Sequence, residues 1–309
     1  MTEKLMMNFF EEIAALLKDY QTPLLNLPEY VKEKITDICF YADSKPVLFL
    51  GKERIILQNV DPVSQSALQE LTFMLCDYAV YKHLEELKYG FIAIKGKFRA
   101  GVCGTAVMTN TQIDSIKNIT SVTIRIPRIF FGASEELLRM VQNPNRGLLI
   151  VGEPSSGKTT LLRDLIFRFS EHRLVVLDER FELTGIGAMK GVHILCGYPK
   201  EQGIQQAIRN LGAEFIICDE LEKRDLPAVE SAVASGVALI ATIHGNVCEA
   251  APIRPLISEM VGTGAFWEIA VMEGRDRPCK VEKIWEVGEF LETFGRDTHY
   301  IGGRICRSY

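Results

Sequence analysis

Gly147-Leu-Leu-Ile-Val-Gly-Glu-Pro-Ser-Ser-Gly-Lys-Thr-Thr160 is the stretch that decides the fold of this chain. Residues 152–159 fit the pattern G-x-x-x-x-G-K-[ST], with an apolar run before them and a helical pattern over residues 160–169. In that context the glycines let backbone N–H groups close around phosphates at a helix N-terminus, where the helix dipole favours negative charge. The pattern therefore predicts a P-loop that binds a nucleoside triphosphate. A glycine-rich turn that merely caps a helix is the alternative.

The P-loop pattern predicts specific roles for its last two residues, Lys158 and Thr159. Lys158 is expected to reach the β- and γ-phosphates of ATP, and Thr159 is expected to ligate Mg²⁺. The chain lacks the Asn-Lys-x-Asp stretch that reads guanine in GTPases, which favours ATP. The predicted nucleotide-binding residues are Gly152, Glu153, Pro154, Ser155, Ser156, Gly157, Lys158, Thr159 and Thr160.

A second acidic motif follows the P-loop. Phe215-Ile-Ile-Cys-Asp219-Glu220 is an apolar strand that ends in two carboxylates, as in a Walker B motif. In that role Asp219 holds the Mg²⁺ shell, and Glu220 is the general base that polarises the attacking water. The alternative is a strand that ends in a solvated acidic turn.

Two more predicted strands end in polar residues at the same edge of the sheet. After the first, Asp178 and Glu179 are candidates to support the metal or its water, and Arg180 is a candidate to pair with them or with phosphate. After the second, Thr242 and His244 stand where open α/β folds bind ligands, so both are candidate sensors of the γ-phosphate. The alternatives are a surface turn with an internal ion pair and a structural histidine.

Two arginines precede the P-loop region. Arg125 and Arg128 lie three residues apart in Thr123-Ile-Arg-Ile-Pro-Arg128 and are candidates for arginine fingers, in cis or across a subunit interface. Arg209 is a weaker candidate of the same kind. A solvated strand between domains is the equal alternative for the first two.

The chain predicts two domains within its 309 residues. Residues 1–133 mix strands with helices and predict an α+β domain for assembly and partner contacts. In residues 134–309, short apolar runs alternate with helices, which is typical of a mainly parallel α/β sheet covered on both faces. The helix predicted over 134–142 opens with Ser134 as its expected N-cap. The further predicted segments are a helix over 5–18, a hairpin over 46–59, helices over 64–88, and strands over 90–96, 98–107, 122–128, 147–151, 174–177, 215–218, 237–241, 266–272 and 281–285.

Composition and charge limit the cellular compartment and the partners that are expected for this chain. A net charge of −5 gives no overall attraction to nucleic acid, so none is expected as a partner. The eight cysteines lack metal-ligand spacing and are expected to be reduced thiols in the cytosol. The acidic residues in the first helix argue against a signal peptide, and the longest apolar run, residues 231–243, is shorter than a membrane span. Any contact with membranes is therefore expected to be through partner proteins.

Taken together, these motifs resemble the family of stage III sporulation protein AA. The matching stretches are Gly152-Glu-Pro-Ser-Ser-Gly-Lys-Thr-Thr-Leu-Leu-Arg-Asp-Leu165, Val176-Leu-Asp-Glu-Arg180 and Ala241-Thr-Ile-His-Gly245. The resemblance extends to residues 71–132, with Tyr89-Gly-Phe-Ile-Ala-Ile-Lys-Gly and Thr123-Ile-Arg-Ile-Pro-Arg. By position, Gly152, Gly157, Lys158, Thr159, Asp178, Glu179, Asp219, Glu220 and His244 match the family's pattern.

The resemblance implies a secretion-ATPase-like P-loop or AAA+ enzyme with a RecA-like core, because the family is similar to the hexameric ATPases of type II and type IV secretion. It implies ATP and Mg²⁺ as cofactors and a cytoplasmic motor of the mother cell in an endospore-forming bacterium. Its expected partners are its own copies and the membrane proteins of a channel to the forespore. Lys158, Glu179, Glu220, His244, Arg125 and Arg128 are the expected catalytic residues, and Thr159, Asp219 and Asp178 the expected metal ligands.

Two stretches depart from the family. Lys95-Gly-Lys-Phe-Arg-Ala-Gly101 stands where a Gly-Gly-His-Arg-Val-Gly-like turn is expected, and Asp37-Ile-Cys-Phe-Tyr-Ala stands where a basic Glu-Leu-Arg-Leu-Arg-like strand is expected. The chain is therefore a divergent member whose partners are less defined than its chemistry. Two other functions stay open, a nucleic-acid-dependent P-loop ATPase and a scaffold that ATP binding organises with little turnover.

Overall fold

The chain divides into two units. The computed structural model describes residues 6–95, 97–109, 111–142, 146–183, 191–245, 253–294, 298–301 and 304–307. One unit is formed by residues 6–128, and the other contains the described residues from Ile129 onward. The boundary predicted from the sequence lies at residue 133, and the two units divide after Arg128.

The first unit is α+β and carries an antiparallel sheet in the strand order β4-β3-β2-β7-β6-β5. Its strands are β1 (Met6–Asn8), β2 (Asp37–Tyr41), β3 (Val47–Leu50), β4 (Glu53–Ile56), β5 (Phe91–Ile94), β6 (Phe98–Thr109) and β7 (Gln112–Arg125). The short strand β8 (Arg128–Phe130) begins at the last residue of this unit. Its helices are α1 (Phe10–Leu16), α2 (Gln21–Leu25), α3 (Glu29–Lys32), α4 (Gln65–Leu75) and α5 (Leu84–Lys88), with 3₁₀ turns at Lys18–Tyr20 and Val80–His83.

The helices and strands of this unit agree with the predictions in some places and differ in others. The predicted hairpin is confirmed as β3 and β4, and Gly51 in its turn has a φ of +70°. The helix predicted from residue 5 begins only at Phe10, because Met6–Asn8 is a strand. The helical region predicted over residues 64–88 forms α4 and α5, and the positive φ angles of Asp77 and Tyr78, 49° and 56°, end α4.

The second unit is built on a sheet in the strand order β11-β10-β12-β13-β9-β14-β15. Those strands are β9 (Leu148–Gly152), β10 (Leu174–Asp178), β11 (Val192–Cys196), β12 (Phe215–Cys218), β13 (Ala238–His244), β14 (Glu268–Met272) and β15 (Val281–Glu286). All neighbouring pairs are parallel except β14 and β15. The predicted mainly parallel α/β sheet is therefore confirmed.

Helices and a small hairpin complete the described part of this unit. The helices are α6 (Glu135–Met140), α7 (Lys158–Arg168), α8 (Lys200–Leu211), α9 (Leu226–Ala234), α10 (Ile253–Gly262) and α11 (Val287–Phe294), and the hairpin is β16 (Thr298–Ile301) with β17 (Arg304–Arg307). Within the described residues, no helix is both long and apolar enough to span a bilayer.

The centre of the sheet is apolar on both faces. Every residue of β9, β10 and β12 is buried, and each fully buried Leu, Ile or Val side chain contributes about 1.5–3 kcal/mol to the stability. Because the strands are parallel, their carboxyl ends meet at one edge. There Gly152 of β9 lies beside His244 of β13, and Cys218 of β12 lies beside Ala241.

Asp164 of α7 braces the segment that leads into α6. Its buried carboxylate accepts the backbone N–H groups of Gly132 at 3.0 Å and Ser134 at 2.8 Å, and the Ser134 hydroxyl at 2.6 Å. The prediction that Ser134 caps its own helix was wrong, because its φ and ψ of −90° and 2° are not those of an N-cap and its hydroxyl bonds Asp164 instead. The carboxylate also pairs with Arg168 at 3.2 Å.

Replacing Asp164 with asparagine should destabilise this unit by about 2 kcal/mol, because an amide cannot accept all of these bonds and loses the pair with Arg168. The midpoint of thermal unfolding of the full chain should fall by about 4–8 °C. Glu171→Gln is the matched control, since Glu171 is exposed and loses the same charge. Equal melting temperatures for the two variants would contradict the bracing role.

Candidate functional site

The P-loop joins β9 to α7 in a conformation that needs glycine. Ser155 and Gly157 have positive φ angles of 65° and 94°. A Cβ on Gly157 would also lie 2.6 Å from both the backbone N and the Sγ of Cys279, closer than real contacts allow. Cys279 in turn donates its N–H to the carbonyl of Ser156 at 2.8 Å. The loop after β14 therefore closes one side of the P-loop.

The interior of the P-loop is suited to an anion. Among the described residues, no side chain caps the N-terminus of α7, and the buried Ser156 hydroxyl has no hydrogen-bond partner. A buried hydroxyl without a partner is costly, and a phosphate oxygen would satisfy it. Together with the positive end of the helix dipole, these features fit a phosphate group.

Lys158 is held beside that space. Its side chain is only 9% exposed, and its Nζ donates to the carbonyls of Gly152 at 2.6 Å and Glu153 at 2.8 Å. Burial lowers the pKa of Lys158, while the nearby charges of Asp219, Glu220 and Glu153 act in the opposite direction. In the described part of the chain, both hydrogen bonds that Nζ donates go to these backbone carbonyls and not to a carboxylate. The ammonium is thus a buried positive charge suited to phosphate.

A chain of hydrogen bonds connects the P-loop to two strand ends. Thr159 donates its hydroxyl to Asp219 Oδ2 at 3.1 Å, and Thr242 donates its hydroxyl to Asp219 Oδ1 at 2.6 Å. The backbone N–H of Glu220 donates to both Asp219 Oδ1 at 2.9 Å and Thr242 Oγ1 at 2.8 Å. These bonds form one hydrogen-bonded network, which contains Thr159, Asp219, Glu220 and Thr242.

Thr159 and Asp219 offer the oxygen ligands that Mg²⁺ prefers. In the part of the chain that is described, no group of three or more His, Cys, Asp or Glu side chains is placed to hold a metal. Mg²⁺ commonly binds through one or two protein ligands, substrate phosphates and water, so the pair fits this ion.

Asp178 has a structural task at the end of β10. It is buried, and its two carboxylate oxygens accept the N–H groups of Glu182 at 2.7 Å and Leu183 at 2.9 Å. Arg163 of α7 fixes the same turn by donating to the carbonyl of Glu182. The role of Asp178 as a metal ligand stays a prediction.

Lys200 is a buried charge that the sequence analysis missed. Its ammonium lies 2.8 Å from Glu179 and 3.6 Å from Asp225. Burial acts to lower the pKa of Lys200, but the hydrogen bond to Glu179 and the charge of Asp225 contribute to a net rise. A lysine at the first position of a helix opposes the helix dipole, and this unfavourable placement is the sequence signal that could have indicated an acidic partner.

The remaining predicted residues lie in different places. His244 is exposed at the end of β13, beside Gly152. In the first unit, Arg125 lies 3.8 Å from Asp37, and half-buried Arg128 donates to the carbonyl of Ile35 at 2.5 Å. Burial lowers the pKa of Arg128. The role of His244 as a sensor of the γ-phosphate stays a prediction. The roles of Arg125, Arg128 and Arg209 of α8 as arginine fingers also stay predictions.

Comparison with protein families gives a match over nearly the whole chain. The family described as sporulation stage III, protein AA matches residues 10–290. The curated stage III sporulation protein AA of Bacillus subtilis (strain 168) is 31% identical over 294 residues, covering 89% of this chain and 94% of that protein.

Solved structures show the same fold at low identity. The pilus retraction motor PilT is 13% identical with a TM-score of 0.54, over 79% of this chain and 76% of PilT. The ATPase DotB of Yersinia pseudotuberculosis is 15% identical with a TM-score of 0.50, over 81% of this chain and 74% of DotB. The second unit is thus a RecA-like P-loop core, and an α+β unit precedes it.

Proposed function

Because this chain belongs to the family of sporulation stage III protein AA, we propose that it is a Mg²⁺-dependent, ring-forming ATPase of the mother-cell cytoplasm. It energises or assembles a secretion-like channel between mother cell and forespore, and membrane proteins of that channel recruit it. The observation that carries the ATPase proposal is the hydrogen-bonded network next to the P-loop, which contains Thr159, Asp219, Thr242 and Glu220.

The residues of this network and of the P-loop have different roles in phosphoryl transfer. The P-loop backbone and Lys158 bind the phosphates, while Thr159 and Asp219 hold Mg²⁺, which neutralises charge on the phosphates. Thr242 fixes Asp219 and the backbone of Glu220. Glu220 takes a proton from the attacking water. His244, placed beside Gly152, responds to the γ-phosphate.

Ring formation is the part of the proposal that concerns other copies of the chain. In a closed ring, one surface of each copy contacts a different surface of the next copy, so a residue of one copy can complete the site of its neighbour. Arg125 and Arg128 are the proposed arginine fingers, supplied in cis or from a neighbour. A hexamer is the proposed ring, by resemblance to the secretion ATPases.

The test measures ATP hydrolysis and native mass of the purified chain, with and without Mg²⁺ and ATP, and with added DNA. The expected result is hydrolysis that requires Mg²⁺, together with a rise in mass to that of a closed ring when ATP is present. A monomer that binds ATP without turnover would favour the scaffold function. Hydrolysis only in the presence of DNA would favour the nucleic-acid-dependent function, although the charge of −5 argues against it.

A further inference from the structure

Arg180 holds the side chain of Glu220 in this structure. Its Nη1 donates to Glu220 Oε2 at 2.6 Å, and its Nη2 donates to Glu222 Oε1 at 2.7 Å. Arg180 follows β10, whereas both glutamates follow β12, so the guanidinium connects two neighbouring strand ends. One planar fork thus binds two carboxylates of the same loop.

The backbone of that loop is fixed independently of Arg180. Glu220 has a positive φ of 40°, which is uncommon for a residue other than glycine, and its N–H is held by Asp219 and Thr242. Two residues later, the N–H of Glu222 donates to Asp225 Oδ2 at 2.8 Å. Loss of Arg180 should therefore release the Glu220 side chain without moving its backbone.

A carboxylate acts as a general base only when one of its oxygens can reach the attacking water. A guanidinium bound to that carboxylate fixes its position. The side chains of Arg180 and Glu220 are 43% and 35% exposed, and an ion pair this exposed contributes at most about 1 kcal/mol. The contact is therefore weak enough to be exchanged during each cycle.

We propose that Arg180 restrains Glu220 in the nucleotide-free protein and that turnover requires the release of Glu220. This inference rests on the proposed ATPase function, in which Glu220 is the general base. Binding of ATP brings negative charge to the adjacent P-loop and offers the guanidinium a competing partner. Arg180 is thus a positioning residue that acts through Glu220 and limits the rate at which bound ATP is hydrolysed.

The test compares steady-state ATP hydrolysis by the full chain and by Arg180→Gln, Arg180→Lys and Lys223→Ala. Arg180→Gln should raise kcat about three- to five-fold, the factor that corresponds to the loss of an exposed ion pair, with KM nearly unchanged. Arg180→Lys should stay close to wild type, because an ammonium still binds Glu220. Lys223→Ala is the control, since exposed Lys223 lies in the same loop and pairs with Glu259 rather than with Glu220 or Glu222 in the described structure.

The outcomes separate this inference from the proposed function. If wild type hydrolyses ATP and Arg180→Gln does so at the same rate or more slowly, the restraint is overturned and the ATPase function stands. If neither protein hydrolyses ATP that both bind, the ATPase function itself fails. A rise in kcat that Arg180→Lys shares in full would overturn the restraint as well, because a positive charge would then be irrelevant.

Discussion

Replacing Glu220 with glutamine is expected to lower kcat for ATP hydrolysis by about 10³-fold, within the range that general-base catalysis contributes. The amide has the same size as the carboxylate but cannot take a proton from water. The N–H of Glu220, which bonds Asp219 and Thr242, is unchanged by the substitution, so the proposed metal ligands keep their positions. ATP binding should therefore be retained, and the ATP-bound ring should accumulate.

Glu222→Gln is the matched control for this prediction. It removes a carboxylate two residues away that binds the same guanidinium, and Glu222 has no proposed part in proton transfer. Its kcat should stay within about threefold of wild type, since only an exposed ion pair is lost. Steady-state hydrolysis and binding of a fluorescent ATP analogue distinguish the cases. Equal losses of kcat in the two variants would show that the charge of the loop matters and that Glu220 is no base.

Lys158→Met is expected to have opposite effects on nucleotide binding and on stability. Loss of a charge-assisted contact to phosphate should weaken ATP binding by about 10²-fold, which corresponds to roughly 3 kcal/mol. Without nucleotide, however, the variant should be more stable than wild type by about 1 kcal/mol, because a buried charge has been replaced with an apolar side chain of similar size.

Two observations support the gain in stability. The carbonyls that accept from Lys158 keep other donors, since Gly245 N–H donates to Gly152 at 3.1 Å and Ser156 N–H donates to Glu153 at 3.2 Å. Burial lowers the pKa of Lys158, so the folded state binds this proton more weakly than the unfolded state does. The cost is therefore fully present below the lowered pKa, and it disappears as pH rises through the unfolded value of 10.5.

Thermal unfolding without nucleotide measures this effect, and a rise in the melting temperature of about 2–4 °C is expected at neutral pH. The difference from wild type should shrink as the pH is raised above the lowered pKa of Lys158. Lys52→Met, which changes an exposed lysine of the first unit, should leave the melting temperature within a degree or so. A lower melting temperature for Lys158→Met would mean that the ammonium stabilises the empty P-loop.

The sequence predicted those parts of the site whose residues are adjacent in the chain. The P-loop could be predicted directly because its proposed phosphate-binding residues form one continuous segment. The strand ends with Asp219 and Thr242 could be placed at one edge because parallel strands align their carboxyl ends. The link between Thr242 and Asp219 could not, since it joins residues on different strands.

Other features depend on contacts that no local pattern encodes. Asp164 is a polar position on an otherwise ordinary helix, and its partners Gly132 and Ser134 lie about 30 residues earlier. Strand β11 was missed because His193 interrupts its apolar residues and leaves the run Ile194-Leu-Cys196, which is too short to predict a strand by itself. The pairing of Arg180 with Glu220 was not predicted. The expected partners of Arg180 were Asp178 and Glu179 or a phosphate, and a partner on the loop after another strand depends on the distance between two loops.

The position of β14 has a consequence for how the chain matures on the ribosome. Strand β9, which carries the P-loop, lies between β13 and β14, and the P-loop also receives the N–H of Cys279 from the loop beyond β14. A nascent chain that ends before residue 268 already contains all proposed phosphate, metal and proton-transfer residues, yet β9 is still an unpaired edge on one side. Competence to bind nucleotide should therefore arise late in synthesis, after residue 279 has left the exit tunnel.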